Sequence, residues 1–128
     1  MKKYICLLFA MLPLVVGCKK DEKNADLSAE ALSQTIWDGS MTSYDSEDNP
    51  GVTTKLILEF LSETEGNCIL PKLHDIQDFQ YAVNKSVISF NGSLAVNGDW
   101  YIIEFSKKRL VLQSYIPTKM VMTLNRTY

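Results

Sequence analysis

Charge imbalance, histidine, cysteine and long apolar runs are all scarce in this chain, and each scarcity removes a class of function. Its 128 residues carry 13 Lys and Arg against 15 Asp and Glu, so there is no basic excess with which to hold nucleic acid. With 1 histidine and 3 cysteines, neither a disulfide-stapled scaffold nor a His-rich metal site can be built. His74-Asp75 with Asp78 is the one cluster of metal-ligating types and falls in a polar, loop-like stretch. Asp45, Glu47 and Asp48 lack the spacing of a calcium-binding EF-hand loop. Nucleophilic catalysis by Ser or Cys needs a partner base, and neither a Gly-x-Ser-x-Gly elbow nor a glycine-rich phosphate loop occurs. The expectation is a protein that is not an enzyme, uses no metal or cofactor and binds no nucleic acid. A hydrophobic share of 46% with 22% charged residues fits one ordinary globular domain.

The longest apolar run, residues 4–16, follows Lys2 and Lys3. As a helix it reaches about 20 Å, short of the roughly 30 Å hydrocarbon core, so it reads as a signal-peptide core and not as a membrane span. Val15-Val16-Gly17-Cys18 resembles the bacterial lipobox. The resemblance implies that the Cys18 thiol takes a diacylglyceryl group as a thioether. Cleavage then falls between Gly17 and Cys18, and the new amine of Cys18 can be acylated. Two or three acyl chains hold a protein firmly to a membrane, where one is marginal.

The expected organisation is therefore a lipoprotein signal peptide over residues 1–17, a flexible polar tether over residues 18–26 and a folded domain over residues 27–128. Cys6 leaves with the signal and Cys18 is acylated. That leaves Cys68, beside Ile69 and Leu70, as a small core residue with no cysteine to bond. Lys20-Asp21-Glu22 resembles the Lys-then-acidic signal that Bacteroidetes lipoproteins use for surface export. The alternative is a solvated linker. The expected place is the outer membrane, lipid-anchored and exposed at the cell surface.

Residues 27–34 predict a short helix capped by Ser28, with Leu27 and Leu32 on one side. From Thr35 the apolar pattern changes to period two. Strands are expected over residues 35–44, 54–62, 68–70, 78–83, 86–90 and 99–105, with two more around Leu110-Leu112-Ser114 and Met120-Met122-Leu124-Arg126. Polar loops are expected over residues 45–52 and 71–77, and tight turns at Asn84-Lys85, Asn91-Gly92, Asn97-Gly98 and Lys107-Lys108. The facing of residues 99–105 is ambiguous. No helix separates the strands, which excludes a parallel sheet. The fold class is all-β: an up-and-down antiparallel meander of about eight strands, either closed as a small barrel or left open as a sandwich.

Ile36-Trp37-Asp38-Gly39, Phe79-Gln80-Tyr81-Ala82-Val83, Gly98-Asp99-Trp100-Tyr101-Ile102-Ile103, Lys108-Arg109-Leu110-Val111-Leu112 and Thr123-Leu124-Asn125-Arg126 follow one another along residues 35–128. In this order the chain resembles the lipocalin-like lipoproteins of Bacteroidetes and, more distantly, the lipocalin and fatty-acid-binding barrels. Lipocalins carry Gly-x-Trp on the first strand, and this chain has Thr35-Ile36-Trp37 there.

Closing eight strands places Trp37 beside Arg126, and in that family an Arg packs over the first-strand Trp as a latch. Arg126-Thr127-Tyr128 also resembles the carboxylate-holding Arg-x-Tyr of fatty-acid-binding barrels, so a ligand contact is the second reading of that pair. Two functions follow. One is a filled barrel acting as a structural or interaction module for a protein or glycan partner. The other is a hollow barrel holding a small apolar ligand, marked by a continuous apolar cavity of roughly 300 Å³ or more. Large residues at expected inward positions, among them Trp37, Met41, Leu58, Phe60, Phe79, Tyr81, Phe90 and Met122, favour filling.

Overall fold

The computed structural model describes residues 27–46, 49–116 and 118–128. The expected signal peptide and tether lie outside them. Alternation of apolar and polar residues yields eight antiparallel strands: β1 (Thr35–Ser46), β2 (Asn49–Phe60), β3 (Glu65–Leu70), β4 (Asp75–Asn84), β5 (Val87–Asn91), β6 (Gly98–Phe105), β7 (Arg109–Ser114) and β8 (Met120–Arg126). Each pairs with its neighbour in sequence, and β8 returns to β1, so the sheet is a closed barrel with no free edge. Of the two architectures the pattern allowed, the barrel is the one formed. A helix of one turn, α1 (Ala29–Leu32), precedes it. Ser28 caps α1 as expected, its hydroxyl accepting from the Ala31 N–H at 3.1 Å, and Leu27 and Leu32 are both buried.

Inward parity and burial coincide around the barrel. Trp37, Leu56, Leu58, Phe60, Ile88, Trp100, Leu110, Leu112, Met122 and Leu124 have essentially no exposed surface. Rings interlock within this core: Phe60 lies 4.9 Å from Tyr81, and Phe79 lies 5.0 Å from Phe90, both edge-on, the arrangement that aromatic quadrupoles favour. Gly66, opposite Phe79 on β3, makes the space. A Cβ there would stand 2.6 Å from the Phe79 ring and 2.3 Å from the Glu59 carbonyl oxygen.

The ambiguous facing of β6 has a physical cause. Ile102 pairs with Leu112 and Glu104 with Val111, leaving Ile103 as an extra residue. This bulge shifts the parity by one. Trp100 and Ile102 face inward before it and Phe105 after it, where the Phe105 ring meets Trp37 at 6.5 Å between centroids.

Three expectations are corrected. Residues 45–52 are not a long loop, because β1 runs to Ser46, β2 starts at Asn49, and Tyr44 pairs with Pro50 across register shifts. Residues 71–77 are a 3-10 turn (Pro71–Leu73) followed at once by β4. Asn91-Gly92 and Asn97-Gly98 do not make separate tight turns. They bound one loop whose middle, Ser93 and Val96, is buried.

Candidate functional site

Gly17 and Cys18, the expected cleavage and lipidation residues, lie outside the described residues. The described chain begins at Leu27, at the end of the barrel where β1, β3, β5 and β7 start. This near end is sealed. The Tyr81 hydroxyl donates to the Ser62 carbonyl at 2.6 Å and lies 3.4 Å from that of Ala29. Gln34 N–H donates to the Phe60 carbonyl. Thr35 is buried, its hydroxyl donating to the Leu32 carbonyl and accepting from the Trp37 indole N–H at 2.8 Å. The α1 segment is thus tied to the first strand through the residue that orients Trp37.

Trp37 and Arg126 are partners across the β1–β8 seam, the juxtaposition expected of them. Their side chains differ from the expectation. Trp37 is buried with Thr35 and Phe105 as neighbours. Arg126 is exposed, and its Nε donates to the Tyr128 main-chain oxygen at 2.9 Å. Its parity is that of Met122 and Leu124, but the barrel ends at its level, so solvent reaches the guanidinium. Main-chain bonds fasten this seam: Thr127 N–H donates to the Ile36 carbonyl at 2.8 Å, and Ile36 N–H to the Tyr128 oxygen at 3.2 Å.

The far end is built differently. The Gln77 side-chain oxygen accepts from the Ser93 hydroxyl at 2.6 Å and from Ala95 N–H at 3.0 Å, and the Trp100 indole donates to the Val96 carbonyl at 2.8 Å. These bonds draw the β5–β6 loop in until Val96 stops the barrel. Other apolar residues of the far loops are left outside: Leu94 is 88% exposed, Ile116 82% and Leu73 66%. Nothing in the period-two pattern marks these residues, because a loop has no inward parity to violate.

Two described grooves are open at the surface, one of about 430 Å³ and one of about 390 Å³. The first runs along outward-facing Glu65, Asn67, Asp78, Gln80 and Asn91, the second past Gln34, Ile36, Glu59 and Tyr128. The first also touches Gly66 and Phe79, and the second lies at the near rim, where it touches Thr35 and Phe60. Cys68 is fully buried, and burial pushes its thiol up to about 11, helped by the Asp75 charge and opposed by a hydrogen bond with Ser93. It is therefore a protonated core thiol at neutral pH, not a nucleophile. Burial, and then the Glu63 charge, push Tyr81 up to about 12. His74 closes the 3-10 turn in the left-handed conformation, φ 51°. Among the described residues no three His, Cys, Asp or Glu stand together as metal ligands.

No protein-family model matches the chain, and no curated protein matches it.

Proposed function

We propose that the protein is an outer-membrane lipoprotein, held by acyl chains on Cys18, whose lipocalin-like barrel is an interaction module exposed at the cell surface. The observation that carries this reading is the contrast between inside and outside. Large side chains occupy the barrel interior, and an eight-stranded barrel is narrow enough for side chains alone to fill it. The two most exposed apolar residues, Leu94 and Ile116, stand with Leu73 at the end remote from Leu27. Loops presented by a rigid scaffold are the usual place for recognition. A chain tethered before Leu27 points that end away from the membrane, towards a protein or glycan partner.

Two measurements test the reading. Labelled palmitate should enter the wild-type protein and be lost in Cys18→Ala. Label retained in that variant refutes the anchor. Thermal unfolding with a long-chain fatty acid should leave the midpoint unchanged, since a ligand that binds only the native state raises it in proportion to ln(1 + [L]/Kd). A saturable rise would replace the interaction module with a ligand-holding barrel.

A further inference from the structure

We infer that the near end of the barrel seats on an anionic membrane surface through Lys85, Lys107, Lys108, Arg109 and Arg126, an inference that rests on the anchoring proposed above. The chain as a whole carries more acid than base, yet these five cations gather at one end. Lys85 lies in the β4–β5 turn and Lys107 and Lys108 in the β6–β7 turn, both near-end connections, and all five residues are exposed.

The fold makes them neighbours. Arg126 N–H donates to the Lys108 carbonyl at 2.9 Å, and Ile102 N–H donates to the Ser86 carbonyl at 2.8 Å, bringing the β4–β5 turn against β6. Two carboxylates border them: Glu104 pairs with Arg109 at 3.4 Å, and Asp38, opposite Asn125 across the β1–β8 seam, pairs with Lys55 at 3.5 Å. The other near-end acids, Glu30 on α1, Glu59 on β2 and Glu63 and Glu65 around the β2–β3 loop, belong to a different side of the opening. The cations therefore follow one side of the rim, from the β4–β5 turn to the end of β8, and the barrel would rest on that side.

A membrane is the partner that the position selects. Residues 18–26 span at most about 30 Å even when fully extended, and they join the barrel at this same end. A basic surface held within that distance of phosphate headgroups works at high local concentration, and each Lys or Arg beside an anionic surface adds roughly fivefold to partitioning.

The test uses the acylated protein in vesicles of phosphatidylcholine alone or mixed with phosphatidylglycerol. Lysine acetylation is read by mass spectrometry, and intact mass reports the acyl chains. Labelling of Lys85, Lys107 and Lys108 should fall about fivefold or more on the anionic vesicles at low salt and recover at high salt, while far-end Lys72 stays unchanged. In the Lys107→Ala/Lys108→Ala double variant, whose changes lie in an exposed turn, Lys85 should lose its protection. Acylated protein labelled equally on both vesicles overturns the seat and leaves the anchor standing. Protection that persists at high salt also overturns it, because the contact would then not be electrostatic. Protein without acyl mass overturns the anchor and the seat together.

Discussion

The two ends of the barrel solve one problem with different parts. The near end is closed by residues adjacent in sequence: Leu32, Thr35 and Trp37 lie within one short segment, bonded through the Thr35 hydroxyl, and the same segment meets the barrel where the Ala29 carbonyl faces the Tyr81 hydroxyl and Gln34 N–H donates to the Phe60 carbonyl. The far end is closed by a loop pulled inward, with Gln77 holding Ser93 and Ala95 while Val96 enters the core. The first arrangement leaves a largely polar rim, on which Leu61 and Tyr128 are also exposed. The second leaves apolar residues outside, because a loop that commits Val96 to the core must pass Leu94 through solvent. The near end is closed by the segment that leads into β1, and the most exposed apolar residues, Leu94 and Ile116, stand at the far end.

That division can be broken at its strongest point. Trp37→Ala removes the largest near-end side chain, together with its bond to Thr35. It should cost about 3–5 kcal/mol in chemical denaturation. A loss below about 1 kcal/mol would show that the near end is not where the barrel is held. Gly39→Ala attacks the adjoining seam. A Cβ there would stand 1.9 Å from the Thr123 carbonyl oxygen on β8. The strands must part, at a cost of about 3 kcal/mol, the upper part of the range for overpacking. A variant that unfolds at the wild-type denaturant midpoint would count against the closed seam.

Alkaline pH reaches buried groups towards both ends. The Cys68 thiol is raised from 9.0 to about 11 and the Tyr81 phenol from 10.0 to about 12 in the folded chain. Both groups deprotonate first in the unfolded chain. Their stabilisation is whole below pH 9 and is lost as pH rises towards 11 and 12. For Cys68 the loss is at most about 2–3 kcal/mol. Cys68→Ala should flatten the part between pH 9 and 11, which a pH series of unfolding curves will register. The smallest effect belongs to the far rim. Leu94→Ser/Ile116→Ser should change stability by no more than about 0.5 kcal/mol, and a larger loss would mean that these residues support the fold instead of being displayed by it.

Much of this was legible from side-chain alternation, and the failures have particular causes. The eight strands, the Ser28 cap and the inward set from Trp37 to Met122 follow from period two and from capping chemistry. The β1–β2 hairpin was hidden because Thr42, Thr53, Tyr44 and Pro50 pair where neither face has a core to cover, so their polarity reads as loop. The first half of β3 was hidden because Gly66 contributes space for Phe79 and no side chain of its own. Facing in β6 could not be assigned because a bulge at Ile103 leaves no apolar signature. The Trp37–Arg126 pairing was predictable from closure alone. The exposure of Arg126 was not, because parity says which way a residue points and nothing about where the barrel stops.

The closure of β1 on β8 also shapes how the chain folds. Every other pairing joins neighbours that can form as hairpins, and short loops close at little entropic expense. The β1–β8 seam instead joins Trp37 to Arg126 across nearly the whole domain, so it is the slow, non-local step of a meander that is otherwise local. Until it forms, two long edges stand open, and open edges are where chains pair with one another. The nascent chain is most exposed to aggregation in that interval, and a chaperone that shields β1 or β8 would act on the single contact the rest of the barrel cannot supply.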